Sequence, residues 1–222
     1  MPNVTPSPQA GSPGGRNDTL SAEKIAFLKE RARFVRLETI RLISIAKVGH
    51  YTSVFCCAEI FAALYYDVMA LRKGEPDWAE RDRFLMGKGH AAVGLFPILA
   101  DLDFFDRSWL DSYTRLGSPL GDHPDMTKVP GVDFSSGSIG HALSNGLGML
   151  LGARFFKRDF NAFVLLGDGE MQEGQVWEAA LSASSHGLSN LIAIVDRNGY
   201  QLDGKVDDVI AIEPLDEKWR SF

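Results

Sequence analysis

The sequence contains little cysteine, no excess of positive charge and no long apolar run. Its only two cysteines, Cys56 and Cys57, are adjacent in the chain. Adjacent cysteines rarely form a well-shaped disulfide, and nothing in the sequence has the spacing of zinc ligands. Because both lie in an apolar stretch, we expect buried free thiols in a reducing compartment, and this indicates a cytoplasmic location.

The charge and hydropathy of the chain exclude two classes of partner. The formal net charge is -6, which argues against general nucleic-acid binding, because that function needs a basic surface. Anionic ligands stay possible, since backbone N–H groups or a metal ion can hold them locally. No apolar segment reaches the roughly 20 residues that a bilayer-spanning helix needs, and the N-terminus has no signal-peptide pattern. We therefore expect no nucleic-acid partner and no membrane partner.

The chain divides into a short N-terminal segment and one large domain. Residues 1–20 are rich in proline and glycine, a composition typical of a disordered tail. Residues 21–222 alternate helical patterns with short apolar runs. The composition of the whole chain, 45% hydrophobic and 23% charged, is that of an ordinary globular protein.

The apolar patterns predict an α/β fold. Helices are predicted at about 21–48, 56–71, 91–102, 107–116, 139–158 and 170–187, strands at 83–86, 162–166 and 191–196, and a long loop at 117–140. The last two strands are nearly continuous apolar runs separated by a helix, so they predict a parallel βαβ unit in a sheet covered on both faces. The expected architecture is a mainly parallel central sheet with helices on both faces.

Polar residues follow the ends of the two strands of the βαβ unit. Gly167-Asp168-Gly169 follows the first strand, and Asp196-Arg197-Asn198-Gly199 ends the second. Since the carboxyl ends of parallel strands lie at one edge of a sheet, Asp168 and Asn198 could converge there. Their oxygens suit Mg²⁺ or Ca²⁺, and the glycines would let a diphosphate approach the main chain. The alternative is two ordinary turns, which is the commoner role of such sequences.

Six stretches together resemble the N-terminal, diphosphate-binding half of transketolases, in the family's order and approximate spacing. They are AKVGH (46–50), GKGHAAVGL (87–95), GDHPD (121–125), PGVDFSSGSIGHALSNGLGM (130–149), GDGEMQEGQVWEA (167–179) and DRNGYQLDG (196–204). The resemblance covers about residues 21–222 and implies a thiamine-diphosphate-binding fold. It also implies an activity, the transfer of a two-carbon ketol unit from a ketose, phosphorylated or otherwise anionic, to an aldehyde.

The resemblance further implies roles for individual residues. A metal ion, Mg²⁺ with Ca²⁺ or Mn²⁺ as alternatives, would be held by the side chains of Asp168 and Asn198 and by the backbone carbonyl of Tyr200. Besides Asp168 and Asn198, the positions implied to bind thiamine diphosphate are His50, His90, Gly137, Ile139, Gly167 and Gly169. The catalytic positions implied are His50 and His123, which would face the donor sugar, and Glu173, which would lie in a carboxylate relay linking paired active sites.

Structural roles are the alternative for several of these residues. His50, His90 and His123 lie beside glycine or proline at predicted loops or element ends. That setting favours proton transfer or binding of sugar hydroxyls over simple packing. Glu173 could serve only to favour the helix dipole. Lys88 is expected to be a solvated lysine and not a phosphate ligand.

The sequence ends at Phe222, before the domain that holds the cofactor's pyrimidine ring in full-length transketolases. We therefore expect a separate C-terminal transketolase subunit to supply that pyrimidine-binding domain, in an α₂β₂ heterotetramer, and activity only with this partner. One alternative is a subunit of another thiamine-diphosphate enzyme, a 2-oxoacid dehydrogenase E1 or a deoxyxylulose-phosphate synthase. Another is a catalytically silent regulatory subunit. GKGH and GDHPD favour transketolase over E1.

Overall fold

The computed structural model describes residues 20–202 and 204–222. The predicted tail at residues 1–20 lies outside this part except for Leu20, and the division into tail and domain stays a prediction. The α-helices are α1 (Ala22–Ala46), α2 (Tyr51–Phe55), α3 (Ala58–Ala63), α4 (Ala92–Asp101), α5 (His141–Phe155), α6 (Gly174–Ser185), α7 (Val206–Val209) and α8 (Leu215–Arg220). The strands are β1 (Arg83–Met86), β2 (Ala162–Gly167), β3 (Leu191–Asp196), β4 (Tyr200–Gln201) and β5 (Gly204–Lys205). Within the described ranges, no helix combines the length and apolar character needed to cross a membrane.

Three parallel strands form the central sheet, in the order β1-β2-β3. Phe84 pairs with Phe163, and Leu165 pairs with Ile194. The middle strand, β2, is buried along nearly its whole length, whereas β3 is only partly buried. The predicted parallel βαβ unit is confirmed, although its second strand is less covered than its apolar sequence suggested.

The side chains of the sheet alternate between two hydrophobic cores. Phe84 and Leu165 pack on one face with residues of α1, α3 and α4. Leu85, Val164 and Leu166 pack on the other face with residues of α5 and α6. This alternation follows from the two-residue period of a strand. Helices cover both faces of the sheet, and the α/β prediction is confirmed.

The longest helix, α1, has the sequence signals of a stable helix. Ser21 caps its N-terminus and accepts a hydrogen bond from the backbone N–H of Lys24 at 3.1 Å. Ala32, Val35 and Leu42 are buried, at the spacing expected for one face of a helix. The helix thereby covers one side of the core that lies next to β1.

Two predicted helices are interrupted in the structure. The segment 56–71 contains α3, which continues as a π-helical turn at Leu64–Val68. The predicted helix at 170–187 consists of a 3₁₀ segment, Gly169–Gln172, followed by α6. Between these parts Glu173 has an extended backbone conformation, which breaks the run of helical hydrogen bonds. The interruption turns the chain directly beside the end of β2.

The chain between α4 and α5 has little regular structure. The predicted helix at 107–116 is a shorter 3₁₀ helix, Arg107–Ser112. Residues 117–140, all of which are described, contain no helix or strand, so the predicted long loop is confirmed.

A buried ion pair fixes this loop to the sheet. Arg81 donates to both carboxylate oxygens of Asp133, at 2.8 and 2.6 Å, and both residues are 7% exposed. Asp133 also accepts from the backbone N–H of Phe84, in β1, at 2.9 Å. Asp133 therefore holds the long loop against β1 at a defined position, before the loop returns towards the end of the sheet.

Candidate cofactor site

The carboxyl ends of β1, β2 and β3 meet at one edge of the sheet. β1 continues into Gly87-Lys88-Gly89-His90, and β2 continues into Asp168. Gly167, at the end of β2, pairs with Asp196 at the end of β3. A cavity of about 660 Å³ lies at this edge, within the range of roughly 300–1,000 Å³ that is usual for small-molecule sites.

The cavity gathers most of the residues that the sequence predicts for a cofactor and a metal ion. Its lining includes His90, Ile139, Gly167, Asp168, Gly169, Glu173, Asn198 and Tyr200. The lining also includes residues that sequence reasoning did not assign to the site, namely Cys56, Lys88, Glu170 and Gln201. His50, His123 and Gly137 are not part of this lining. The two histidines belong to an adjacent group, and Gly137 lies beside His123. The individual roles stay predictions.

Asp168 is the most buried of the predicted ligands, at 1% exposure. Its Oδ1 accepts from the backbone N–H of Gly169 at 2.9 Å. Its Oδ2 accepts from the backbone N–H of Gly199 at 2.7 Å and from Arg197 at 3.0 Å. Asp168 therefore ties the turn after β3, which carries Asn198, to the end of β2.

The oxygen atoms at this turn are suited to a hard cation. The Oδ1 of Asn198 accepts from the backbone N–H of Tyr200 at 2.9 Å, and its Nδ2 lies 3.3 Å from Asp196. Among the described residues, no group of three or more His, Cys, Asp or Glu side chains could hold a metal ion. The predicted set of one carboxylate, one amide and one backbone carbonyl needs further oxygens to complete a Mg²⁺ shell. A bound diphosphate would supply them, so the donor set fits a metal–diphosphate pair.

The cavity wall also contains an unsatisfied polar atom beside a glycine. Within residues 20–202 and 204–222, Gln201 Oε1 is buried and has no hydrogen-bond partner. A Cβ atom added to Gly169 would lie 2.8 Å from this oxygen, so a larger residue would displace the Gln201 side chain. Buried acceptors are normally paired. The open acceptor and the bare main chain of Gly169 fit a polar ligand that lies close to the backbone.

A buried ion pair forms part of the cavity wall. Lys88, 4% exposed, pairs with Asp196, and Cys56 Sγ lies 2.8 Å from the same carboxylate. Burial alone would raise the pKa of Asp196, but hydrogen bonds from Cys56 and Lys88 lower it below its ordinary value. The expectation of a solvated Lys88 is wrong, because its side chain crosses the end of β2 beside Gly167 and reaches a counter-charge on β3. Cys57 is buried as expected, whereas Cys56 is exposed in the cavity.

The three predicted histidines form one group beside the cavity. The rings of His50 and His90 are edge to face, with centroids 5.4 Å apart. His123 lies next to Gly137, where an added Cβ atom would be 3.7 Å from its ring. Burial, followed by the nearby charge of Lys88, lowers the pKa of His90 to about 4. His90 is therefore neutral near pH 7.

Asp122 lies between two of these histidines. Its Oδ2 is 3.7 Å from His50 Nε2 and 3.8 Å from His123 Nδ1. Its Oδ1 accepts from the hydroxyl of Tyr113 at 3.0 Å. Burial raises the pKa of Tyr113, so this hydroxyl stays a donor. Sequence reasoning missed Asp122, although it directly precedes His123 in the GDHPD stretch.

Two glutamates follow Asp168 in the turn after β2. Glu173 lines the cavity and packs against Gly140, where an added Cβ atom would lie 2.8 Å from the Glu173 Cβ. Glu170 is 3% exposed, and burial raises its pKa. Glu170 accepts a hydrogen bond from the backbone N–H of Gly140 at 2.7 Å, so both glutamates contact the segment that leads into α5.

Comparison with known proteins identifies the family. Residues 28–222 match the model of the transketolase thiamine diphosphate binding domain. The chain belongs to this family. It is 37% identical, over 187 residues, to an apulose-4-phosphate transketolase subunit of Phocaeicola vulgatus, and the match covers 84% of this chain and 66% of that protein. It is also 37% identical, over 201 residues, to a 6-deoxy-6-sulfo-D-fructose transketolase subunit of Clostridium sp., with 90% of this chain and 73% of that protein covered.

The fold is likewise that of a transketolase. The crystal structure of transketolase from Campylobacter jejuni superimposes with a TM-score of 0.82 at 26% identity. The match covers 88% of this chain but only 32% of that enzyme. The resemblance inferred from the six sequence stretches is therefore confirmed, and the chain corresponds to a part of the full-length enzyme.

Proposed function

We propose that this chain is the diphosphate-binding subunit of a two-chain transketolase. Together with a partner, it transfers a two-carbon ketol unit from an anionic ketose to an aldehyde. The observation that carries the proposal is the cavity at the three strand ends, in a chain of the transketolase thiamine diphosphate-binding family. Two relatives are named for apulose 4-phosphate and 6-deoxy-6-sulfo-D-fructose. Phosphate and sulfonate groups are both anionic, which supports a donor with a negative charge.

In this proposal, the strand ends hold the diphosphate and a metal ion. Thiamine diphosphate, when bound, supplies the carbon nucleophile for the transfer. Asp168, Asn198 and the backbone carbonyl of Tyr200 hold Mg²⁺, with Ca²⁺ or Mn²⁺ as alternatives. Gly167 and Gly169 allow the diphosphate to lie against the main chain. The burial and fixed hydrogen bonds of Asp168 support a rigid ligand position.

The loop before α5 and the histidines serve the rings and the substrate. Gly137 and Ile139 line the cofactor rings. His90 donates a hydrogen bond towards the diphosphate as a neutral imidazole, which its lowered pKa supports. His50 borders both cofactor and donor, and with His123 it binds the donor's hydroxyl groups and moves protons there. The position of Asp122 between these two rings supports a shared task.

The assembly completes the site. A C-terminal transketolase subunit supplies the pyrimidine-binding domain, and Glu173 lies in a carboxylate relay at the interface of an α₂β₂ heterotetramer. The names of the relatives, which are those of transketolase subunits, support a partner chain. Tyr200 and Leu202, which line the cavity, are 60% and 101% exposed, and this supports cover by another chain. The free thiols of Cys56 and Cys57 support a reducing, cytoplasmic location.

Native mass spectrometry of the protein isolated with its companions from its own source tests the proposal. We expect a second chain, thiamine diphosphate and a divalent metal ion in one complex, followed by turnover of an anionic ketose with an aldehyde acceptor. Turnover of pyruvate or another 2-oxoacid would instead indicate a different thiamine-diphosphate enzyme. A complex that never takes up the cofactor, even in excess, would overturn the catalytic role and indicate a regulatory subunit.

A further inference from the structure

Glu170 is a buried carboxylate whose oxygens are satisfied by the backbone. Its Oε1 accepts from the N–H of Gly140 at 2.7 Å, and its Oε2 accepts from the N–H of Gly167 at 3.1 Å. The residue is only 3% exposed. Burying a carboxylate costs free energy unless hydrogen bonds compensate for the lost water. The two hydrogen bonds from Gly140 and Gly167 therefore indicate the role of the Glu170 side chain in the fold.

The two N–H donors belong to segments that are distant in sequence. Gly167 ends β2 and immediately precedes Asp168. Gly140 caps the N-terminus of α5, has φ of 87°, and immediately follows Ile139. A negative charge is also favourable at the N-terminus of a helix of this length. The Glu170 side chain thus connects the end of β2 to the end of the long loop.

The packing around the carboxylate leaves little freedom for it to move. A Cβ atom added to Gly87, at the end of β1, would lie 2.4 Å from Oε1 and 2.3 Å from Oε2 of Glu170. The carboxylate is therefore enclosed by the ends of two strands and one helix. An apolar side chain could fill this space, but it would leave the N–H groups of Gly140 and Gly167 unpaired.

We propose that Glu170 is a positioning residue that sets the distance between the diphosphate end and the ring-lining end of the cofactor site. The diphosphate end is the Gly167–Asp168 turn, and the ring-lining end is the Ile139–Gly140 segment. The identity of the ligand rests on the proposed function, whereas the connection between the two segments does not. Glu170 acts through the backbone of both segments and needs no contact with the reacting atoms.

Amide hydrogen exchange of the full chain tests the connection without any ligand. Glu170→Gln keeps the size of the side chain but turns one acceptor into a donor, and Glu170→Ala removes both acceptors. We expect exchange at Gly140 or Gly167 to become about tenfold faster in Glu170→Gln, as loss of one hydrogen bond to a charged group implies, and faster at both in Glu170→Ala. Glu217→Gln, at an exposed position of α8, is the matched control.

Cofactor affinity of the assembled complex then tests the positioning role. We expect both Glu170 variants to weaken binding of thiamine diphosphate with Mg²⁺, by about tenfold in Glu170→Gln, with a much smaller change in kcat at saturating cofactor. Glu170→Gln should retain more affinity than Glu170→Ala. If Gly140 and Gly167 exchange at the wild-type rate in Glu170→Gln, the proposed connection between the two segments is wrong. This variant tests the connection by itself, so the test holds even if Glu170→Ala fails to fold.

The two proposals fail in different ways. Faster exchange together with wild-type cofactor affinity would overturn the positioning role and leave the proposed function intact. A wild-type complex that binds no thiamine diphosphate would overturn the proposed function, and with it the assignment of this ligand to the Glu170 site.

Discussion

Two polar clusters lie side by side at the end of the sheet, and they are built differently. The strand-end cluster consists of Lys88, Asp168, Glu170 and Asp196, which are between 1% and 7% exposed. The histidine cluster consists of His50, Asp122 and His123, whose side chains are 53%, 32% and 43% exposed. Asp168 and Glu170 accept hydrogen bonds of 2.7 to 3.1 Å, whereas Asp122 lies 3.7 and 3.8 Å from the two rings.

The difference indicates which parts of the site the fold determines by itself. Buried charges must be paired or hydrogen-bonded, so the strand-end cluster has to be satisfied whenever the sheet forms. Exposed pairs contribute little free energy and can change partners. We infer that the strand ends are preorganised for the cofactor, whereas the histidines take their final arrangement when a substrate or a partner chain is present.

The largest effect on cofactor binding is expected from the strand-end cluster, on replacement of Asp168. Asp168→Asn removes the negative charge proposed to bind the metal ion. It also weakens the hydrogen bonds that Asp168 accepts from Gly199 and Arg197. We expect Mg²⁺-dependent affinity for thiamine diphosphate to fall by more than about 100-fold, since even outer-shell changes cost 10–100-fold. Titration calorimetry of the assembled complex measures this. Asp208→Asn, at an exposed position of α7, should bind like the wild type, and equal affinities in both variants would remove Asp168 from the metal site.

Buried and exposed ion pairs should differ in how much they contribute to the free energy of unfolding. Asp133→Ala leaves Arg81 buried without its carboxylate partner, although its hydrogen bonds to the backbone carbonyls of Pro76 and Asp82 remain. It also leaves the N–H of Phe84 without an acceptor. We expect a loss of about 3–5 kcal/mol in the free energy of unfolding, as for other broken buried pairs. Urea unfolding of the full chain measures it.

An exposed pair on α1 provides the control for this measurement. The side chains of Arg33 and Glu30 are 65% and 57% exposed, so Arg33→Ala should cost less than about 1 kcal/mol. Similar losses in Asp133→Ala and Arg33→Ala would contradict the view that the buried pair fixes the loop.

The sequence predicted the strand ends better than it predicted their surroundings. Nearly continuous apolar runs located β2 and β3, and parallel pairing then required Gly167 and Asp196 to meet at one edge. The break at Glu173 was not predicted, because the helix was expected to run through residues 170–187. In the structure Glu173 has an extended backbone and packs against Gly140.

Long-range polar partners were likewise hidden in the sequence. Lys88 and Asp196 are 108 residues apart, so no local pattern links them. The sequence analysis assigned no role to Glu170, and its bond to Gly140 depends on the fold of the loop. Local rules indicate which residue types suit a cofactor, whereas the pairing of buried charges requires the folded chain.

A smaller effect on turnover is expected from the histidine cluster. His123→Ala removes a ring proposed to bind the donor, and we expect kcat/KM for the ketose to fall by about 100-fold. Cofactor affinity should change little, because His123 lies outside the cavity lining. Steady-state kinetics and cofactor titration of the same complex give both values. A loss of affinity as large as the loss of kcat/KM would show that the two clusters are not separate.

The smallest effect concerns His90, which lies between the two clusters. Its pKa is lowered from 6.5 to about 4 in the folded chain, so the unfolded chain binds more protons between these pH values. Stability should therefore rise as pH increases from about 4 to 6.5 and fall on acidification through the same window. One proton limits this contribution to about 1.4 kcal/mol per pH unit, and partial exposure of the ring makes it smaller.

Urea unfolding of the cofactor-free chain at several pH values tests this, with His90→Gln as the variant. We expect the dependence on pH to be weaker in His90→Gln than in the wild type across that window. His186→Gln, which replaces an exposed histidine at the end of α6, serves as the control and should keep the wild-type dependence. If His90→Gln keeps it as well, His90 is not held neutral by burial. Its ring would then belong with the exposed, adaptable histidines and not with the preorganised strand ends.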